Sequence, residues 1–219
     1  MQSLLTNHNE LQHQEYILLI LNCKKYEHKA IYQKNTWLRT LSSKLIYYHV
    51  IGDNALTDEY KFDNVTNTLY VRTEDDYNSL PKKVCAAYHA ISETFDFKYI
   101  FKTDDDQMLT NSRFFDMVME MLKRTNNDYG GHIVSVPISY LSKYYLVHPE
   151  LPRDLIVKST KYCSGRFYLL SRRATTDLLT KRDQIEREYL EDYAIGFNLD
   201  ESFKTNILQL NTSIFFVDF

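Results

Sequence analysis

Short apolar runs of strand length alternate along the chain with stretches of helical spacing. Tyr16 to Cys23 is β-branched and aliphatic and reads as a strand; the charged segment Lys24 to Leu41 behind it has helical character, with Trp37 on its apolar side. Lys44 to Val50 predicts a second strand that ends at the turn signal Ile51-Gly-Asp-Asn54, and Thr68 to Arg72 predicts a third. Lys82 to Thr94 carries Val84, Ala87, Tyr88 and Ile91 at the spacing of one helix face. It leads into Tyr99-Ile-Phe-Lys-Thr-Asp-Asp-Asp-Gln-Met-Leu109, an apolar run that stops abruptly at Asp104, Asp105 and Asp106. Ser112 to Lys123 is a further helix, with Phe115, Met119 and Leu122 on one stripe. Strands and helices alternating in this way predict an α/β domain with a mainly parallel sheet and helices on both faces.

Asp128 to Val136 contains Gly130-Gly131 and a short strand, and Pro137 to Arg153 is aromatic without a firm period, as a surface loop is. Lys161 to Leu170 is a strand interrupted by Gly165, where a glycine marks either a bulge or the close approach of a ligand or another backbone. Ser171 to Thr180 follows as a helix. Glu191 and Asp192 precede a short apolar helix, and Asn206 to Phe219 closes with one or two strands. Residues 1–14, rich in Gln, Asn and His, are expected to be a flexible arm. Residues 15–219 read as a single domain.

Composition narrows the function classes. Hydrophobic residues make up 44% of the 219 and charged residues 25%, ordinary values for a globular chain. A net charge of -3 gives no basic footprint, so no nucleic-acid partner is expected. Cys23, Cys85 and Cys163 form an odd set without metal-like spacing, which speaks against a disulfide framework or a zinc knuckle. No run is long enough to span a bilayer, and none has the flanks of a signal peptide. The expectation is a cytoplasmic protein with no membrane span in this chain.

The acidic triplet is the sharpest chemical feature. An apolar strand that ends in carboxylates delivers them to the rim where open α/β sheets bind ligands. Alternation along an extended chain puts Asp104 and Asp106 on one side and turns Asp105 away. Adjacent carboxylates repel each other, and a divalent cation held by oxygen ligands removes that repulsion. A solvated turn that caps the next helix would use the same residues.

Several stretches together resemble one family. Asp75-Asp-Tyr-Asn-Ser-Leu-Pro-Lys-Lys83, Tyr99 to Met108, Tyr162-Cys-Ser-Gly-Arg-Phe-Tyr-Leu-Leu-Ser171 and Leu190-Glu-Asp-Tyr-Ala-Ile-Gly196 are similar, in order and spacing, to segments of the inverting β-1,3-glycosyltransferases of the galactosyltransferase and Fringe type. Lys34-Asn-Thr-Trp37 is a weaker echo, with Lys for the family's Arg. The likeness runs from about Glu15 to Gly196 and implies the GT-A fold, with a small antiparallel C-terminal part. Two departures stand out: no His follows His148, where the family carries a metal-ligating one, and the family's membrane anchor is missing. The missing anchor points to a bacterial or viral enzyme, or to a trimmed chain.

The resemblance implies metal-dependent transfer of a sugar from a nucleotide-diphosphate donor, a UDP-sugar, to a hydroxyl of a glycan or glycoprotein acceptor, with inversion. Asp106, with Asp104, would hold Mn²⁺ or Mg²⁺. Asp105 would reach donor-sugar hydroxyls. Asp192 would be the general base, with Glu191 in reserve; helix capping is the plainer role for either. Ser164 and Gly165 would floor the acceptor site. Asn22, Lys34, Asp75 and Lys83 are candidates for the donor side, the two lysines as a phosphate contact or an orienting ion pair near the acidic loop, although lysines at the surface are more often simply solvated. Tyr140, Tyr144, Tyr145 and His148 are either loop packing or an acceptor-facing wall. The rival classes are a metal-dependent phosphohydrolase or nuclease and a sugar-binding module without turnover.

Overall fold

The computed structural model describes residues 11–219, so residues 1–10 of the expected arm lie outside the described residues. Pairing begins before Glu15, at strand β1 (Gln12–His13). The aliphatic run becomes β2 (Tyr16–Leu21), buried at every position. Then come helix α1 (Glu27–Asn35), β3 (Leu45–Gly52), β4 (Tyr60–Asp63), β5 (Thr68–Val71) and α2 (Leu80–Thr94). Pro81 sits in the first turn of α2, where no intrahelical bond needs its missing N–H. Next are β6 (Phe95–Asp96), β7 (Tyr99–Asp104), β8 (Gln107–Leu109), α3 (Phe114–Thr125) and β9 (Tyr129–Val136). Asn126 ends α3 in the left-handed conformation, φ 50°. The remainder is β10 (Tyr140–Leu141), β11 (Ile156–Val157), β12 (Thr160–Ser171), α4 (Arg172–Thr180), α5 (Arg182–Ile185), α6 (Glu191–Asn198), α7 (Glu201–Lys204), β13 (Leu208–Gln209) and β14 (Phe216–Asp218).

Eight strands form the central sheet in the order β13-β9-β12-β7-β2-β3-β5-β4. β7, β2, β3 and β5 are parallel, whereas β12 and β4 run against their neighbours. Leu21 is aligned with both Asp104 and Val50, so β2, β3 and β7 end on one rim. Phe167 lies opposite Thr103, which brings the segment just before it, with Gly165, up to that rim. Small two-stranded sheets flank the main one: β1 pairs with β6, β10 with β11, and β14 antiparallel with β8.

The period of two along β2 builds both halves of the core. Ile17, Leu19 and Leu21 join Val84, Ala87, Ile91, Leu178 and Ile195 on the face covered by α2, α4 and α6. Tyr16, Leu18 and Ile20 join Trp37, Phe101, Phe115, Met119 and Leu122 on the other. Helices therefore cover both faces, as the alternation predicts. The expected helix from Lys24 to Leu41 is broken: α1 stops at Asn35, Thr36 leaves helical geometry (φ -115°, ψ -109°), and Trp37 is buried in a separate 3₁₀ turn. No described helix is long and apolar enough to cross a membrane.

Candidate active site

β7 carries one residue at odds with its surroundings. Lys102 lies between Phe101 and Thr103 in the middle of the sheet, and its side chain is 1% exposed. A buried ammonium needs partners close by. It donates to Asp104 Oδ1 at 2.7 Å, Glu191 Oε2 at 2.9 Å and the Gly165 carbonyl at 2.9 Å. Lys102 and Asp104 share a strand face because they are two residues apart. Burial acts to lower the ammonium's pKa, but Asp104 and Glu191 outweigh it and hold the group above its ordinary value. Burial in turn raises Asp104 to about 6 against the pull of Lys102. The Asp104 side chain keeps 36% of its surface open, so it remains available to a ligand.

The acidic turn meets Lys102 from the other side. α6 starts at Glu191 with Leu190 as its N-cap residue, which gives it no side-chain cap. Glu191 accepts from the Tyr168 hydroxyl, which lies 2.6 Å from the Tyr88 hydroxyl. Asp192 Oδ2 accepts from the Gly165 N–H at 2.8 Å, and its Oδ1 accepts from the Tyr193 N–H at 2.7 Å. Both carboxyls are raised, by burial first, with Lys102 opposing.

Gly165 lies between the two. Pairing of β12 with β9 shifts register between Cys163 and Tyr168, so a bulge is present. Close approach holds as well: a Cβ on Gly165 would lie 3.3 Å from Lys102 Nζ, 3.5 Å from Asp104 Oδ2 and 3.5 Å from Asp192 Cβ. Ser164 is half-buried beside it.

The other candidates are distributed around this cluster. The β7 strand ends at Asp104, and Asp105 and Asp106 form a turn. The extended chain that strand alternation needs stops at Asp104, so it is the turn that directs Asp105 away, to a pair with Lys29 at 3.2 Å; burial raises it to about 6. Asp106 Oδ1 accepts from Gln107 Nε2 at 2.9 Å, and the same nitrogen donates to Asp218 Oδ1 at 2.8 Å. Asp218 also receives Arg166 at 2.9 Å, so β14 draws the C-terminal segment across Asp106. Asp75 is saturated by protein donors: Oδ1 takes the Gly52 N–H at 2.8 Å and Lys83 Nζ at 2.6 Å, and Oδ2 takes the Lys24 N–H at 2.7 Å. Lys83 is 1% exposed and also donates to the Asn22 carbonyl at 2.9 Å, so it stitches strand ends together rather than projecting into solvent. Asn22, 3% exposed, keeps a buried Nδ2 without a partner at the end of β2. Lys34 is not brought to the acids; it donates to the Thr66 carbonyl in the β4–β5 turn at 2.6 Å.

The aromatic loop combines packing with proximity to the acids. Tyr77 and His148 stack at 3.9 Å, and Tyr144 lies 5.0 Å from His148. The Tyr77 phenol is pushed up by burial, then by Tyr144 and by the Asp192 and Asp104 charges. Tyr162 is raised likewise, by burial and then by Asp192. Tyr140 is exposed and Tyr145 half-buried.

Sequence reasoning missed Lys102, Lys29, Tyr168, Tyr88 and Gln33. Gln33 is fully buried and donates to the Asp104 and Gln107 carbonyls at 3.2 and 2.9 Å, pinning the turn that carries the acids. Only Lys102 left a signal, a cation inside an apolar run.

Residues 29–204 match the sequence profile described as Galactosyltransferase. No curated protein sequence matches the chain. Among solved structures, S. aureus TarS, residues 1–349, is similar at 12% identity and a TM-score of 0.52, over 93% of this chain and 60% of that one. This chain thus spans about 60% of the length of that structure. The galactosyltransferase LgtC, in complex with donor and acceptor sugar analogs, superposes with a TM-score of 0.45 at 8% identity, over 90% of this chain and 73% of that one. The glycosyltransferase GlyE of Streptococcus pneumoniae TIGR4 does so with a TM-score of 0.48 at 11% identity, over 93% and 46%. The likeness to TarS is one of fold, the GT-A arrangement.

Proposed function

Since this chain belongs to the galactosyltransferase family, we propose that it moves a sugar from a nucleotide-diphosphate donor, a UDP-sugar, to a hydroxyl of a glycan acceptor with inversion at the anomeric carbon. One observation supports the reading most: Lys102 joins Asp104, from the end of β7, to Glu191, from the start of α6, within one cluster that also holds Asp192 and Gly165. A donor-binding strand end and a proton-accepting turn would need that proximity.

The donor set fits a hard divalent cation. Asp104 and Asp106 offer carboxylate oxygens at the strand end, and among the described residues no three His, Cys, Asp or Glu gather to cage a metal. Mg²⁺ and Mn²⁺ suit such a site, since one or two carboxylates suffice when substrate phosphates complete the shell. Asp106 would hold the ion, with Asp104 behind it, and the ion would offset the charge that grows on the leaving diphosphate.

The chain's own residues do the remainder. Asp192, hydrogen-bonded to the Gly165 and Tyr193 N–H groups, is fixed in orientation and accepts the acceptor's proton. Its raised pKa makes it a better base than an exposed aspartate. Glu191 is buried and ion-paired with Lys102 as well as bound to the Tyr168 hydroxyl, so it orients the cluster while the half-buried Asp192 works. Gly165 keeps the floor free of a side chain where acceptor and donor sugar meet.

Calorimetric titration with UDP and Mn²⁺ tests the proposal. Wild type is expected to bind UDP in a Mn²⁺-dependent manner, and Asp106→Ala to lose that dependence. Equal affinities would refute the metal assignment. Absence of UDP release from any UDP-sugar, with Mn²⁺ and glycan acceptors present, would refute the transferase.

A further inference from the structure

The contact between β3 and α1 is polar in an otherwise apolar layer. Alternation along β3 sends Tyr48 and Val50 to the α2 side of the sheet and Leu45, Tyr47 and His49 to the other. Opposite His49, α1 buries only Ala30 and Gln33, three apart on one helix face. His49 and Gln33 are both fully buried, and the ring Nε2 lies 2.9 Å from Gln33 Oε1. Two aliphatic side chains would seal this contact without desolvating an imidazole and an amide, so stability alone does not account for the pair.

The hydrogen bonds fix its chemistry. The Asp104 and Gln107 carbonyls can only accept, so the Gln33 amide turns its nitrogen to them, at 3.2 and 2.9 Å, and its oxygen to His49. That oxygen accepts, so the ring carries its proton on Nε2 and donates. His49 Nδ1 is then bare, and it is buried with no partner among the described residues. Burial, with the Lys34 charge second, lowers the imidazole to about 3, so the ring stays neutral and keeps this one tautomer.

The two carbonyls bracket Asp105 and Asp106. One amide thus closes the acidic turn from both ends, while Lys29, four residues before Gln33 on α1, holds Asp105 at 3.2 Å. Without the imidazole, Gln33 Oε1 has no donor among the described residues, and the amide is free to rotate its oxygen against the carbonyls. We propose that His49 and Gln33 are positioning residues of the donor site: the imidazole orients the amide, and the amide sets the Asp104–Gln107 turn in the shape in which Asp106 and Asp104 take up a cation and its diphosphate. This rests on the reading of that turn as the donor end of the transferase.

Wild type is compared with His49→Phe, which fills the space without a donor, and with His49→Gln, whose side-chain amide offers an N–H at similar reach. In titrations with UDP and Mn²⁺, His49→Phe is expected to bind about tenfold more weakly, the size of one lost buried hydrogen bond, and His49→Gln to recover most of the loss. In steady state the donor KM should rise by the same factor at unchanged turnover, the reverse of a lost base. Amide exchange without nucleotide or metal gives a second readout: the Asp105 N–H, which donates to the Leu21 carbonyl at 3.1 Å, should exchange about tenfold faster in His49→Phe and at the wild-type rate in His49→Gln. If His49→Phe folds poorly, Gln33→Leu with His49→Phe removes both partners, a change that is nearly neutral for stability, and should still bind UDP weakly. Wild-type UDP affinity and exchange in His49→Phe would overturn the proposal, as would a loss that His49→Gln does not recover, since packing alone produces that result. A wild type that binds no UDP would sink the transferase reading; the Asp105 exchange rates would still decide whether the pair sets the turn.

Discussion

Replacing Lys102 by methionine removes the cation that holds the cluster together while keeping a side chain of similar length. In the wild type that ammonium has three oxygen partners within 2.9 Å, and the side chain of Glu191 is only 5% exposed. Breaking a buried pair by deleting one partner costs about 3–5 kcal/mol, because a charge is left behind without compensation. Asp104 adds less, since its side chain is 36% exposed and water replaces part of what it loses. In a domain of this size each kcal/mol moves the melting temperature by about 2–4 °C, so Lys102→Met is expected to melt about 6–20 °C below wild type. The deficit should grow with pH. Without Lys102 the Glu191 pKa, already raised by burial, rises further; a carboxyl raised in the folded state favours folding below its unfolded pKa and loses that contribution as pH climbs through the folded value. Lys102→Met combined with Glu191→Leu removes both charges and should recover part of the loss. Calorimetric melting of the three proteins across acid to neutral pH provides the measurement. A drop below about 2 °C in Lys102→Met, or a double variant less stable than the single one, would refute the view of Lys102 as the pivot of the cluster.

Three further outcomes follow from the same geometry. Asp192→Asn keeps an acceptor oxygen for the Gly165 N–H but removes the base, so steady-state kinetics should give a turnover lower by about 10²–10⁴ at an unchanged donor KM. Asp105, raised to about 6 from 3.8, makes wild-type stability fall as pH rises between those values; in metal-free buffer Asp105→Asn should gain on wild type by up to about 3 kcal/mol over that range in denaturant titrations, and a constant gap would contradict it. Gly196→Ala would put a Cβ 2.2 Å from Tyr162 Cβ and push α6 away from β12, so it should melt below wild type by an amount matching about 1–3 kcal/mol, with loss of activity as Asp192 shifts.

What the chain discloses in advance depends on how local the cause is. β2 and β7 were legible because a buried strand needs consecutive apolar side chains, and the stop at Asp104 was legible because three carboxylates end such a run. The bulge in β12 was legible through Gly165. The closing strand was legible between Asn206 and Phe219, but β8 was not, since its three residues form a strand only because β14, over a hundred positions away in sequence, pairs with them. The roles of Lys83 and Asp75 were partly hidden: of the phosphate contact and the orienting ion pair open to Lys83, folding takes the ion pair, and it turns Asp75 toward Lys83 and the Gly52 and Lys24 amides.

Lys102 is the instructive intermediate case. An ammonium amid Tyr-Ile-Phe and Thr in a central strand is too costly to bury alone, so its presence there already demands a carboxylate on the same strand face and a second acceptor from a neighbouring element. Asp104, two residues on, meets the first demand by strand periodicity alone. The second has to come from an element that packs over the rim, and the chain holds one adjacent pair of acids that opens a short apolar helix, Glu191-Asp192. The cost of burying one lysine therefore links the strand end to the distant turn, and the side chain that sequence reading passed over is the one that brings the two acidic segments into a single site.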